Sequence, residues 1–307
     1  MSPPVYVVTL DVERRLNQAG FPVTATQLQP LRERFLRQLQ DHVPGELIVY
    51  DESDYRRRMN ALADKLRPHG QLVSMTDDYV DDADDYLELN RAGYPVNGHI
   101  TKMDIPVARH GSPPASAQFD TAAARANGRP IILVDDGVWS GGTLNYVITQ
   151  FQQRGCPVVL VGGGIIRSPH VPTNIDQILH SLFPFPDDQG RELADWICER
   201  DFTVIVPNFG RQLATPDLSA LDHRRIGMAY FGPTGFPYDC ASIEPPHQKP
   251  YSTICIEFNL DLLTLLEGLR GNGMMQLGEL TTKPWGLQDR ADDLSVREFL
   301  HEWGNAL

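Results

Sequence analysis

The sequence has little cysteine, little basic charge and no long hydrophobic run. Its 307 residues include 4 cysteines, none in a C-x-x-C pair, so a zinc ribbon or a dithiol redox motif is not indicated. No stretch approaches the roughly 18 apolar residues of a membrane span, and the first residues do not have a signal-peptide pattern. The 27 Lys and Arg against 40 Asp and Glu give a net charge of −13, which disfavours a nucleic-acid-binding surface. We therefore expect a cytoplasmic protein.

Several familiar functional motifs are incomplete. No lysine follows Gly141-Gly142, as a Walker loop would require, and the spacing before Ser140 is one residue too long for a nucleophile elbow. Gly162–Gly164 suggests a dinucleotide loop, but Arg167 stands where the third glycine belongs. The zinc-protease pattern H-E-x-x-H is absent from the sequence. These observations leave the ligand to be argued from other residues.

Strand-like and helical segments alternate in the middle of the chain. Ile131–Val134 is a run of four apolar β-formers, typical of a strand buried on both faces of a parallel sheet. Apolar residues between Leu144 and Phe151 repeat at helical spacing, and Pro157–Val161 is a second buried run. Strand, helix and strand within about 30 residues form a parallel βαβ unit. The sequence therefore predicts an α/β fold built on a doubly wound parallel sheet.

The flanking segments are predicted from the same signals. We expect residues 1–44 to form an N-terminal helical segment, residues 45–212 the α/β core, and residues 213–307 a C-terminal elaboration. The first and last of these are expected to form a hood over the core. The individual elements expected along the chain are a helix at Thr24–Gln40, a strand at Leu47–Tyr50, a solvated acidic loop at Asp77–Asp85, a strand at His99–Val107, a helix at Leu193–Arg200, a strand at Phe202–Val206, a structured loop at Phe231–Tyr251, and helices at Asn259–Leu269 and Ser295–Trp303.

Two adjacent carboxylates and a glycine-rich turn follow the first buried run. Asp135 and Asp136 come directly after Ile131–Val134, at the carboxyl end of a strand, where open parallel sheets bind ligands. Such a pair can accept hydrogen bonds from a vicinal diol or hold a divalent cation. Residues 140–143 (Ser-Gly-Gly-Thr) then lead into a helix, whose N-terminus, glycine N–H groups and hydroxyls suit a phosphate. Together they predict a site for a sugar 5-phosphate.

The stretch IILVDDGVWSGGTL, residues 131–144, resembles the phosphoribosyl-pyrophosphate motif of the type I phosphoribosyltransferases. The resemblance implies the fold of that family and a role for each matched position. Asp135 and Asp136 would bind the ribose 2- and 3-hydroxyls, and Gly137 belongs to the same binding segment. The 5-phosphate would be held by Ser140, Gly141, Gly142 and Thr143.

The resemblance also implies groups that handle the pyrophosphate. The candidate pyrophosphate loop is Asp51-Glu52-Ser53-Asp54-Tyr55-Arg56, because it follows the run Leu47–Tyr50 and precedes a helix. Arg56 would be a catalytic cation there, with Arg57 as its substitute. Mg²⁺ would reach Asp135 and Asp136 only indirectly, through phosphoribosyl pyrophosphate, and would neutralise the leaving group. Arg109–Ala117 lies where the family has a mobile loop that closes over the reactants.

The implied reaction is displacement of pyrophosphate from ribose C1 by a nitrogen or other nucleophile, which is the acceptor of the phosphoribosyl group. Residues 1–44 and 213–307 would form the hood over this acceptor. Purine enzymes of the 6-oxo type carry an aspartate where this chain has Trp139, which either stacks on a planar acceptor or packs in the core. The alternative function is a non-catalytic relative that binds a nucleotide or phosphoribosyl ligand and regulates a partner. Both readings expect small-molecule ligands, no nucleic acid and no membrane, and leave a homodimer open. Further candidate residues, each with an ordinary surface role as its alternative, are Lys102, Arg109, His110, Arg167, Asn208, Phe209 and Arg211.

Overall fold

The computed structural model describes residues 3–75, 77–96, 99–109, 112–138, 141–167, 178–206, 208–214, 221–233, 237–271, 273–280, 283 and 290–307. Its strands are β1 (Val5–Leu10), β2 (Glu46–Asp51), β3 (Gln71–Ser74), β4 (Asp85–Tyr86), β5 (Leu89–Val96), β6 (His99–Ala108), β7 (Ile131–Val138), β8 (Val158–Arg167), β9 (Ile178–Phe185), β10 (Leu193–Cys198), β11 (Asn208–Ala214) and β12 (Leu221–Met228). Its helices are α1 (Val12–Gln18), α2 (Ala25–Gln40), α3 (Glu52–Leu66), α4 (Ala115–Ala126), α5 (Gly142–Gln153), α6 (Pro237–Ala241), α7 (Pro245–Arg270) and α8 (Val296–Ala306). Within the described part of the chain, no helix combines the length and the apolar character needed to cross a membrane.

The first compact unit, chiefly Glu52–Glu192, is built on a five-stranded parallel sheet in the order β4-β3-β7-β8-β9. The four residues Ile131–Val134 of the middle strand, β7, are all fully buried. Alternate residues of a strand point to opposite faces, so both faces of the sheet are covered here. The predicted α/β class with a parallel sheet is confirmed, as are the strands at Ile131–Val134 and Pro157–Val161 and the helix between them.

Helices cover this sheet closely. Helix α3 contacts β7, β8 and β9, and its approach depends on glycine, because a Cβ on Gly162 would lie 2.6 Å from Cδ1 of Leu66. Helices α4 and α5 share a core with β7, in which the rings of Phe119 and Phe151 meet edge to face at 5.3 Å. The run Gly162–Gly164 is therefore part of strand β8 and serves helix packing.

The second compact unit comprises Pro3–Asp51, Leu193–Arg211 and Arg225–Leu307. Its sheet is parallel and three-stranded, in the order β10-β1-β2. Helices α2 and α7 pack together in its core, where the ring of Phe35 stacks on that of Phe258 at 4.6 Å. This unit also buries an ion pair, since Nε of Arg32 lies 2.6 Å from Oε1 of Glu199 and both side chains are almost fully buried.

The helices with clear capping signals are confirmed. Thr24 caps α2 in a capping box with Gln27, and the hydroxyl of Ser295 accepts N–H groups at the start of α8. The helix expected at Asn259–Leu269 is the second half of α7. The strand expected at His99–Val107 is β6. In each of these segments the local pattern was sufficient to predict the element.

Three of the expected elements along the chain are wrong. Leu193–Arg200, expected as a helix, begins with strand β10, whose alternating burial fits a sheet. Phe202–Val206, expected as a strand, begins with the last residue of the 3₁₀ turn Glu199–Phe202 and ends in three bend residues. Phe231–Tyr251, expected as a loop, contains helix α6 and the start of α7. The strand expected at Leu47–Tyr50 is confirmed as part of β2, which pairs with β1 in the three-stranded sheet.

Candidate functional site

The acidic pair lies within the end of β7 rather than in a loop after it. The strand continues through Val138, and the register pairs Asp135 with Gly163 and Gly137 with Ile165 of β8. The side chains of Asp135 and Asp136 are half-buried, and a carboxylate oxygen of Asp135 accepts the N–H of Asp136 at 3.0 Å. The structure thus places both carboxylates at the carboxyl edge of the five-stranded sheet, as the sequence predicted.

The glycine-rich turn delivers a helix N-terminus to the same edge. Gly141 is the N-cap of α5 with φ of 70°, a left-handed conformation that glycine adopts without strain. Gly142 and Thr143 form the first turn of this 12-residue helix. N–H groups of a first turn point out of the helix end, which also carries positive potential. This is the geometry that binds phosphate groups.

One cleft brings the two features together. Its volume is about 220 Å³. One part of its lining is polar, from the acidic pair and the start of α5, and another part is apolar. The lining residues are Met75, Leu89, Arg109, Asp135, Asp136, Gly137, Val138, Gly141, Thr143 and Leu144. A ligand in this cleft therefore meets carboxylates, a helix N-terminus and an apolar wall at once.

The cleft is strongly acidic around Asp136. Burial in the first place, and the negative charge of Asp78 in the second, raise the pKa of Asp136 from 3.8 to about 6. A hydrogen bond with Asp135, the charge of Arg109 and the N–H of Gly137 act in the opposite direction. The sheet edge therefore carries excess negative charge, which a hydroxyl-rich or cation-bound ligand would relieve.

The segment after β3 supplies residues that the sequence analysis missed. Strand β3 lies beside β7, and the N–H of Met75 donates to the carbonyl of Val134 at 2.8 Å. Asp78 and Asp85, expected in a solvated loop, are both almost fully buried. The expectation of a solvated Asp77–Asp85 loop is therefore wrong for these two residues. β3 is four residues long and is too short to show a period, so only the tertiary structure places this segment at the site.

Arg109 is the cationic side chain of the cleft among its described residues. It follows β6, which is antiparallel to β5, and its N–H donates to the carbonyl of Glu88 at 2.8 Å. Its Nη1 donates to Asp77 at 2.9 Å. The first residue of the predicted mobile loop thus reaches the cleft and is tied to the acidic segment.

The predicted pyrophosphate loop is not a loop. Asp51 ends β2, and Glu52, Ser53, Asp54, Tyr55 and Arg56 form the start of helix α3. Arg56 pairs with Asp81 and donates to the carbonyl of Asp78 at 3.2 Å, and the hydrogen bond with Asp81 raises its pKa. Arg57 pairs with Asp54. These cations are occupied by carboxylates, and neither lines the cleft.

Several sequence-predicted residues cannot be placed by their side chains. Trp139, Ser140 and His110 lie outside the described residues. For the others, the structure describes the strand to which each belongs but not the side chain. These are Lys102 in β6, Arg167 in β8, and Asn208, Phe209 and Arg211 in β11.

Neither a metal cluster nor a related protein identifies the site. Among the residues that the structure describes, no three or more histidine, cysteine, aspartate or glutamate side chains are grouped to hold a metal ion. Comparison with models of known protein families gives no match to the chain, and comparison with curated proteins gives none either. The geometry of the cleft therefore carries the functional argument.

Proposed function

We propose that this protein is a Mg²⁺-dependent phosphoribosyltransferase with a fold of the type I phosphoribosyltransferase kind. It would transfer the 5-phosphoribosyl group from phosphoribosyl pyrophosphate to a nucleophile and release pyrophosphate. The observation that carries the proposal is the single cleft lined by Asp135, Asp136, Gly141 and Thr143. A diol acceptor and a phosphate-binding helix end in one cleft suit a ribose 5-phosphate group.

The carboxylates would act on the ribose. Its two hydroxyls donate to Asp135 and Asp136, and hydrogen bonds to charged acceptors are about twice as strong as neutral ones. As pyrophosphate departs, positive charge develops at C1 and the ring oxygen. Negative groups already held near the sugar stabilise that charge more than the ground state, which is the requirement for catalysis.

The leaving group needs positive charge, and the described residues offer little of it. Arg109 lines the cleft, and we assign it, in place of Arg56, to the departing pyrophosphate. Mg²⁺ would arrive on the substrate phosphates and reach the acidic pair only through phosphoribosyl pyrophosphate, because this ion keeps several waters and commonly binds substrate phosphates. When bound, the ion supplies charge neutralisation of the leaving group. The charge of Asp78 that raises the pKa of Asp136 is consistent with a site that receives a cation.

One observation favours the alternative, a non-catalytic protein that binds a phosphoribosyl ligand and regulates a partner. Arg56 and Arg57 are both paired with carboxylates, and so is Arg109, with Asp77. A binding protein needs no cation that responds to a leaving group, whereas a transferase must release one of these ion pairs. The Asp135-Asp136 pair and the start of α5 serve both functions equally.

Ligand binding tests the shared part of the proposal. The double variant Asp135→Asn/Asp136→Asn should lose affinity for ribose 5-phosphate, because hydrogen bonds to a charged acceptor contribute about 1.5–3 kcal/mol each. The matched control is Asp292→Asn/Asp293→Asn, an exposed adjacent pair in the other unit, which should bind normally. Isothermal titration calorimetry measures both. Unchanged affinity in the first variant would refute the diol assignment.

Pyrophosphate release separates the two functions. With phosphoribosyl pyrophosphate, Mg²⁺ and a panel of nucleobases, amines and aromatic acids, a transferase releases pyrophosphate and a binding protein does not. Arg109→Ala should then lower kcat/KM much more than it lowers the affinity for ribose 5-phosphate, since the contact strengthens in the transition state. Equal losses in the two measurements would remove Arg109 from the pyrophosphate.

A further inference from the structure

Tyr55 connects helix α3 to the main chain of the acidic pair. Its side chain is only 1% exposed, and its hydroxyl donates to the carbonyl oxygen of Asp136 at 2.7 Å. Both residues belong to the same compact unit. The contact is directed at the one peptide group that lies between Asp136 and Gly137, next to the cleft.

A glycine makes this contact possible. The register Asp135–Gly163 and Gly137–Ile165 places Gly164 beside Asp136 on the neighbouring strand. A Cβ on Gly164 would lie 2.6 Å from the carbonyl oxygen of Asp136, and it would overlap the Tyr55 hydroxyl. Real side chains do not approach that closely, so the phenol reaches Asp136 only because residue 164 has no side chain.

The ring of Tyr55 is held in place on its other sides. It stacks on Phe183 with centroids 5.9 Å apart and an interplanar angle of 12°. The ring of Tyr79 meets it edge to face at 4.9 Å. Next to it on α3, Arg56 donates to the carbonyl of Asp78, the residue whose charge acts on Asp136. A hydroxyl with such a fixed ring has little freedom, so its partner carbonyl is fixed too.

We propose that Tyr55 is a positioning residue that, across Gly164, fixes the main chain at Asp136 and so holds its carboxylate toward the ribose hydroxyls. This inference rests on the proposed function and adds to it a determinant of sugar specificity. The Tyr55 hydroxyl bonds the main chain of Asp136, and Tyr55 is not among the residues that line the cleft. Its effect is therefore on the recognition of the diol and not on the phosphate group, which the start of α5 binds.

The test is Tyr55→Phe, which removes the hydroxyl and keeps the ring contacts. Affinity is measured for ribose 5-phosphate and for 2-deoxyribose 5-phosphate, which lacks one hydroxyl. The unaltered protein should prefer the ribose compound about tenfold or more, and Tyr55→Phe should reduce that preference about fivefold, while affinity for the deoxy compound changes little. Tyr86→Phe is the matched control, because its hydroxyl also bonds main-chain carbonyls, those of Asp81 and Val80, and Tyr86 does not line the cleft. The control should keep the preference.

A second measurement does not depend on the ligand. Amide hydrogen exchange at Gly137, whose N–H belongs to the fixed peptide group, should accelerate in Tyr55→Phe about fivefold or more, while exchange at Leu133 in the same strand stays unchanged. An unchanged sugar preference, or an equal loss for both sugar phosphates, would overturn the specificity role. Unchanged exchange at Gly137, or equal acceleration at Leu133, would overturn the positioning role. If the unaltered protein binds neither compound, the proposed function fails, and the exchange result alone decides whether Tyr55 fixes Asp136.

Discussion

The ionised carboxylate of Asp136, which we propose binds the ribose, should lower the free energy of unfolding at neutral pH. The variant Asp136→Asn separates the effect on stability from the effect on binding. Burial and then the charge of Asp78 raise its pKa from 3.8 to about 6. One pKa unit corresponds to about 1.4 kcal/mol, so the ionised carboxylate costs the folded state at most about 3 kcal/mol. The side chain is half-buried, and solvent reduces that cost. We expect Asp136→Asn to gain about 1–2 kcal/mol in the free energy of unfolding at neutral pH.

The sign of the pH dependence follows from the raised pKa. Well below pH 3.8 the carboxyl is protonated in both the folded and the unfolded state, and it has no effect on stability. As the pH rises from about 4 to about 6 the unfolded state ionises first, so the folded state loses stability, and the full cost is present above about pH 6. The advantage of Asp136→Asn should therefore be small near the lower limit and complete well above the upper one.

Urea denaturation at about pH 4 and about pH 7.5 measures this difference, provided that the slope of free energy against urea stays the same. Asp188→Asn, at an exposed aspartate of the same unit, is the control and should show no such pH-dependent gain. A variant that is less stable than the unaltered protein at about pH 7.5, or equally stabilised at both pH values, would refute the assignment of Asp136 as a strained carboxylate.

Three further outcomes are expected. Calorimetry should find that affinity for ribose 5-phosphate rises as the pH increases through about 6, because the ionised carboxylate of Asp136 accepts the ribose hydroxyl. The pH dependence that remains in Asp136→Asn should be that of the ligand phosphate. Identical pH profiles for the variant and the unaltered protein would contradict this. Gly164→Ala should destabilise the fold because its Cβ meets the Asp136 carbonyl, whereas Gly268→Ala, in helix α7 with open space around it, should stabilise by about 0.5–1 kcal/mol; thermal melts with equal shifts would be inconsistent with the packing. Arg32→Met should cost about 3–5 kcal/mol in urea denaturation because Glu199 is left buried without its partner, and Arg32→Met/Glu199→Leu should recover most of it; no recovery would show that the ion pair is not the cause.

Elements whose capping residues or apolar pattern lie within the element itself could be predicted from the residues alone. Thr24 with Gln27, and Ser295 before α8, are capping residues next to the N–H groups that they satisfy, so the helix starts are visible without any tertiary contact. The buried strand at Ile131–Val134 was also predicted from a local signal, because a continuous apolar run marks a strand covered on both faces. The acidic pair comes directly after this run in the sequence. The candidate site could be predicted because the residues proposed to bind the ribose diol and the phosphate lie within a few positions of one another in the sequence.

Which strands are neighbours could not be predicted without the tertiary structure. Strand β10 pairs with β1, which brings Leu193 beside Val5, and nothing in the alternation of Leu193–Cys198 identifies that partner. β2 also pairs with β1, so the strand that precedes the predicted pyrophosphate loop belongs to a different sheet from β7. Pairing depends on contacts between residues far apart in sequence, and local propensity carries no information about them.

The surroundings of the acidic pair were decided in the same way. Asp78, Arg109 and Tyr55 come from three separate segments and reach Asp136 only because β3 lies beside β7 and α3 crosses Gly164. The raised pKa of Asp136 arises first from burial and then from the charge of Asp78. Burial and the distance between charges are properties of the packed chain, so the residue types were predictable from the sequence and their electrostatic state was not.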